Sequence, residues 1–212
     1  MEDMFMPLQT FFNLPVEKQK KIITSAKREF ARVPFSEASI NNIIKDANIS
    51  RGSFYQYFDD KEDLFFYLLN EHTKERHKHF IYYLEKNDGN IFKTMLAMFK
   101  SILAKLDNND MHKFYRNVFL HLNYETEKKL INSFTYRGLN KTLAEIKQII
   151  KTDQLNLIDE EDIFHILHIL STVMMQNFIL KFDKELTDEE IIENYKAQVN
   201  LLKRGFLKSA AD

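Results

Sequence analysis

No cysteine occurs anywhere in the chain, and tryptophan is also missing. The first absence removes disulfides, thiolate zinc sites and thiol nucleophiles together, and it fits a reducing, cytoplasmic setting. Only 4 glycines and 3 prolines are spread over 212 residues, which leaves little turn chemistry for a strand-rich fold. No sign of charge dominates: 30 Lys and Arg face 31 Asp and Glu. That balance argues against a protein that coats nucleic acid, but leaves room for a small local patch. The opening "MEDMFMPLQTFF" has no basic segment and no long apolar run, so neither export nor a membrane span is expected. What is abundant is apolar: 19 Phe and 9 Tyr are enough to fill a sizeable core.

Apolar spacing is helical almost throughout. Ile22, Ile23, Ala26 and Phe30 form one stripe after Pro15, and Val33-Pro34-Phe35 interrupts it. Ser39 is expected to cap a short helix carrying Ile40, Ile43, Ile44 and Ala47. Asn48 follows where a left-handed turn residue is useful. Ser50 then caps "RGSFYQYF", and Asp60 caps a long helix running from Lys61 toward Phe80 or Leu84. After the polar "KNDGN", longer helices are expected over Ile91–Lys105, Met111–Leu122, Thr126–Lys151, Glu160–Phe182 and Asp188–Lys208. Thr187 with Glu190 reads as a capping box for the last. The fold class is all-α: a three-helix head, a connecting helix and a larger helical-bundle body. The expected division is residues 1–62 and 63–212.

The stretch "NISRGSFYQYF" raises a chemical question, because a core helix needs no hydroxyls and a plain surface helix needs no aromatics. Two short helices joined by a tight turn, the second exposed, make a helix-turn-helix. Phe54 and Phe58, four apart, are expected inside, with Arg51, Ser53, Tyr55 and Tyr57 outward. Gly52 lets backbone come close to a phosphate at a helix start. Hydroxyls and tyrosines suit phosphates and base edges in a major groove. An ordinary helical hairpin with surface tyrosines has the same spacing.

The longer segment "IITSAKREFARVPFSEASINNIIKDANISRGSFYQYFDDKEDLFFYLL" resembles the N-terminal domain of the TetR family of bacterial transcriptional repressors. The match spans about residues 14 to 69 and includes a Ser opening the second helix, the S-[KR]-G-[ST]-[FL]-Y-x-[YH]-F recognition helix and a Lys-Glu pair opening the fourth. The resemblance implies DNA contacts from Ser39, Arg51, Gly52, Ser53, Tyr55, Tyr57 and Lys61. Tyr55 and Lys61 would grip phosphates, and Arg51, Ser53 and Tyr57 would lie nearest the bases. Asn48 and Pro34-Phe35 stand where the family usually has Gly and a Gly-aromatic pair. Acids in the head roughly offset its bases, so affinity is expected from a few aimed contacts and dimerisation.

For the body the resemblance implies a homodimer formed through the last two helices and a pocket for a small effector that releases the protein from a palindromic operator. The corresponding interface stripes are Ile163, Ile166, Leu167, Leu170, Val173 and Asn177, then Tyr195, Val199, Leu202 and Phe206. The same stripes suit packing within one chain. Met95, Met98, Phe99, Phe114, Phe119, Tyr136, Met174, Met175 and Phe178 are expected to line an adaptable apolar cavity for a hydrophobic effector, or to be ordinary core. The histidines at 72, 77 and 79, and His165 with His168, do not form a ligand set, so no metal or other cofactor is expected. No H-E-x-x-H, G-x-S-x-G or Gly-rich phosphate loop appears, which argues against an enzyme. A protein-interaction module using the helix-three aromatics is the alternative.

Overall fold

The computed structural model describes residues 7–106, 109–121, 143–159 and 161–207. The described helices are α1 Gln9–Phe12, α2 Val16–Arg32, α3 Ile40–Ala47, α4 Arg51–Tyr57, α5 Lys61–Lys86, α6 Ile91–Leu106, α7 Asn109–Leu120, α8 Leu143–Ile149, α9 Asp162–Lys184 and α10 Asp188–Phe206. The helix expected over Thr126–Lys151 is seen only as α8, ending at Ile149, with residues 126–142 outside the described residues. The chain divides into two compact units. Residues up to 72 join 106–121 in one, and 73–105 join the residues from 143 onward in the other.

The first unit is built on the α2 stripe. Ile22, Ala26 and Phe30 are buried, and α2 packs on α3 and α7. Phe65 of α5 is the hub, with ring centroids 5.1 Å from Phe30, 4.7 Å from Phe35 and 6.1 Å from Phe114. Fully burying each such ring contributes roughly 1.5–3 kcal/mol. Asn117 of α7 donates from Nδ2 to the Phe30 and Ala31 carbonyls, both at 3.0 Å. Those oxygens end a helix and have no partner within it. One element went unread in the sequence: α1 is a single turn whose Phe11 is fully buried, 5.0 Å from Phe58 and 5.6 Å from Tyr67.

In the second unit α9 and α10 form a helical hairpin. Glu185 closes α9 in the left-handed region (φ 52°), and Thr187 with Glu190 forms the expected capping box on α10. Phe99 of α6 lies 4.9 Å from Phe178 and 4.5 Å from Tyr195. Between the two helices the buried Asn177 donates to Gln198 Oε1 at 2.6 Å and accepts from Asn194 at 2.8 Å. Lys181, also buried, donates to the Leu186 carbonyl at 3.1 Å and to Asp188. Among the described residues α9 alone is long and apolar enough to cross a membrane. Its buried Asn177 and Lys181, both partnered within the hairpin, mark it as a core helix instead.

This packing bears on the stripes expected at the interface. Ile163, Ile166, Leu167, Leu170, Asn177, Tyr195 and Val199 are buried within the chain itself, leaving only Val173, Leu202 and Phe206 half-exposed. An apolar stripe fixes which helix face is covered, not what covers it. The residues expected to line a cavity divide between units: Phe114 and Phe119 in the first, and Met95, Met98, Phe99, Met174, Met175 and Phe178 in the second. All eight are buried, and Tyr136 lies outside the described residues.

Candidate nucleic-acid interface

Asn48 makes the turn that orients the second helix of the motif. Its φ of 55° and ψ of 51° are left-handed, and Ile49 N donates back to the Ile44 carbonyl at 3.0 Å. Asparagine tolerates that conformation better than other non-glycine residues. Ser50 then caps α4, accepting from Ser53 N at 3.0 Å. Phe54 and Phe58 are completely buried, as their spacing requires, and they anchor α4 while turning Arg51, Gly52, Tyr55 and Gln56 to solvent.

The exposed arginine is held in place. Arg51 donates to Asn41 Oδ1 at 3.2 Å and to the Tyr55 hydroxyl at 3.4 Å, and its guanidinium lies 5.9 Å from the centre of the Tyr55 ring. Such a tether reduces the side-chain entropy lost on meeting a base or phosphate. Among the described residues nothing requires glycine at position 52: a Cβ there would meet only Ser50 Oγ, at 3.9 Å. Ser53 is half-buried beside it, its hydroxyl 2.9 Å from that of Ser50.

Three of the residues singled out in the sequence have different surroundings from those expected. Tyr57 does not face outward: it is buried, its ring 6.4 Å from Phe11, with Lys18 Nζ 5.9 Å above it. The cause is α1, which covers the end of α4: Leu8 N donates to the Tyr57 carbonyl at 2.8 Å and the Thr10 hydroxyl to that of Gln56. Ser39 stands at the N-cap of α3 but its hydroxyl makes no capping bond. Lys61 Nζ is engaged within the chain, donating to the carbonyls of Phe35 at 2.7 Å and Ala38 at 2.8 Å, and it sits 4.6 Å from the Phe35 ring. Burial lowers its pKa, opposed by the nearby Glu29 carboxylate.

Glu29, which the sequence reading does not single out, is a participant. Its buried carboxylate takes two bonds from Arg32 at 2.8 Å, one from Ser39 N at 2.9 Å and one from Asn42 Nδ2 at 3.0 Å. Arg32 chiefly, with help from Ser39 and Asn42, holds its pKa at about 2 against the opposing effect of burial. Glu29 and Lys61 thus fasten the loop between α2 and α3, one through the first turn of α3 and the other through loop carbonyls. An acid three residues after Ala26, on the apolar stripe, and one turn before Arg32 was the available signal. Asn41 and Gln56, both exposed, were also missed, since neither carries a distinctive spacing.

Among the described residues no group of three or more His, Asp or Glu side chains is placed to hold a metal ion. Asp60 caps α5 by accepting from Asp63 N at 2.8 Å, and the Asp63 carboxylate returns to Asp59 N at 3.1 Å. Burial raises the Asp63 pKa.

A family model described as bacterial regulatory proteins, tetR family, matches residues 22–68, and one described as tetracyclin repressor-like, C-terminal domain, matches 90–206. The chain is 43% identical over 54 residues to YuxN, an uncharacterised HTH-type transcriptional regulator of Bacillus subtilis, covering 26% of this chain and 19% of YuxN. It is 30% identical over 97 residues to YdgC, an uncharacterised HTH-type transcriptional regulator of the same organism, covering 44% of this chain and 50% of YdgC. The matches therefore span half or less of these relatives. In fold it is similar to a TetR-family transcriptional regulator from Syntrophomonas wolfei, at TM-score 0.64 and 21% identity over 92% of this chain and 98% of that one. Reduced NemR of Escherichia coli is also similar, at TM-score 0.57 and 17% identity over 92% and 100%. With both its helix-turn-helix head and its helical body matched, the chain belongs to the TetR family of bacterial transcriptional regulators.

Proposed function

We propose that the protein is a cytoplasmic repressor that binds a palindromic operator as a homodimer and is released by a small hydrophobic effector. Residues 1–62 carry DNA reading, and residues from 63 onward carry effector binding and dimerisation. The observation that carries the reading is the outward face of α4, where a tethered Arg51 adjoins a glycine without an internal packing reason. Gly52 admits a phosphate close to the backbone, Arg51 and Ser53 meet base edges, and Tyr55 meets a phosphate. Ser39 and Tyr57 contribute through the backbone and packing that pose the motif. Lys61 has three ammonium donors, two of them spent on the loop, which leaves one for a phosphate.

Dimerisation uses the outer faces of α9 and α10, where Ile169 is 37% exposed and Leu201 63%. The effector enters among Met95, Met98, Phe99, Met174, Met175 and Phe178, displacing core side chains; methionine repacks at low cost. It must bind the released form more tightly than the DNA-bound one.

The test is selection of bound genomic fragments by the purified protein, followed by titrations of operator and scrambled duplex at several salt concentrations. Arg51→Ala is expected to lose roughly 1–3 kcal/mol at particular base pairs on two symmetric half-sites. Equal binding by parent and Arg51→Ala, with the head folded, would overturn the assignment of α4 as the reader.

A further inference from the structure

A cavity of about 180 Å³ in the second unit has Lys93, Lys151 and Lys203 in its wall. Each lysine comes from a different segment: the first turn of α6, the chain just after α8, and the last turn of α10. Among the described residues no carboxylate pairs with any of the three. Lys203 instead lies 5.8 Å from the centre of the Phe92 ring. Among the described residues of the wall Asp88 is the one acid against three lysines, a surplus of two positive charges.

The wall is fastened at several points. Lys151 N donates to the Gly89 carbonyl at 3.1 Å, Asn156 N donates to that of Phe206 at 2.7 Å, and Leu155 pairs with Leu207 in an antiparallel bridge. Gly89 permits the first of these contacts. Its φ is +74°, and a Cβ there would fall 2.1 Å from the Ile149 carbonyl oxygen. Asn90 spends its side-chain oxygen on Lys93 N, at 3.0 Å, leaving its amide NH2 as a donor. Like charges brought together in this way repel, and a concave wall strengthens their field. A bound anion relieves both.

We infer that this cavity is a binding site for a compact organic anion with two or more negative charges, borne on phosphoryl or carboxylate groups. The volume suits such a ligand, since pockets for drug-sized molecules are roughly 300–1,000 Å³. The inference is independent of the hydrophobic effector proposed above, whose residues are not in this wall.

The experiment is calorimetric titration of the full chain with pyrophosphate and, separately, with citrate, both against a chloride background of matched ionic strength. Saturable binding of at least one, with one site per chain, is expected. Which one binds tells phosphoryl from carboxylate chemistry. Lys151→Gln with Lys203→Gln should weaken it tenfold or more, and Lys93→Gln alone should weaken it in the same direction. Lys100→Gln with Lys196→Gln, outside the wall, should leave it unchanged. If the double variant fails to fold, Lys93→Gln decides. The inference is overturned if neither anion binds above the chloride background, if binding survives the wall variants, or if the outside pair weakens it equally.

Discussion

A glycine inside a seven-residue helix gives up roughly 1 kcal/mol relative to alanine. Among the described residues nothing asks for that loss at Gly52, because a methyl group would meet only the Ser50 hydroxyl. Gly52→Ala should therefore raise the melting temperature of the head while weakening operator binding, two effects of opposite sign from one methyl. Parallel thermal melts and anisotropy titrations measure both. Unchanged binding would mean that DNA does not approach this backbone. Glu29 gives a second prediction at this scale. Its folded pKa of about 2 lies below the ordinary 4.5, so the ionised form favours the folded head. That contribution, roughly 3 kcal/mol, is complete above about pH 4.5 and lost as pH falls toward 2. Denaturant melts at a series of acidic pH values should show this loss, and Glu29→Gln should remove it while lowering stability at neutral pH. An acid limb of the same size in Glu29→Gln would assign the loss to another group.

At the scale of elements, α1 and the loop before α3 act as clamps on the two ends of the motif. Phe11→Ala should cost the head roughly 3–5 kcal/mol and speed amide exchange at the end of α4, because Phe58 and Tyr57 lose their cover. Exchange that rises only within α1 would show that the clamp is not transmitted. Lys61→Ala should lower head stability by about 1–3 kcal/mol through two abandoned carbonyls, besides weakening binding on all sequences alike. If stability is unchanged, water replaces the ammonium without loss. The positions of α2, α3 and α4 were legible because apolar spacing, Asn48 and Ser50 are local signals. The inward turn of Tyr57 was only half legible: position 57 is three from Phe54, a spacing that puts both on one helix face, but the turn of helix that covers it lies far away in sequence.

Over the whole molecule, the same limit governs the last two helices. Their stripes were legible, but Leu170 and Tyr195 face each other within one chain, where the Tyr195 hydroxyl donates to the Leu170 carbonyl at 3.4 Å. Burial pushes that hydroxyl's pKa above the usual phenol range, as expected of a core tyrosine. The prediction for the dimer moves to the outer faces. Ile169→Asp with Leu201→Asp should give a folded monomer, whereas Leu170→Asp should unfold the body. Sedimentation and circular dichroism separate the two. A parent chain that sediments as a monomer at micromolar concentration, or a double variant that remains a dimer, would contradict this placement.

The packing of α7 on α2 sets terms for anyone exchanging parts between regulators. The segment matched as the DNA-binding family ends at residue 68, an obvious place to cut when grafting this reader onto another sensor. A graft cut there leaves behind Phe114, which meets Phe65, and Asn117, which closes the end of α2. The portable reader is therefore discontinuous in sequence: a chimera must carry residues 106–121 with the head or supply a helix of the same inner face.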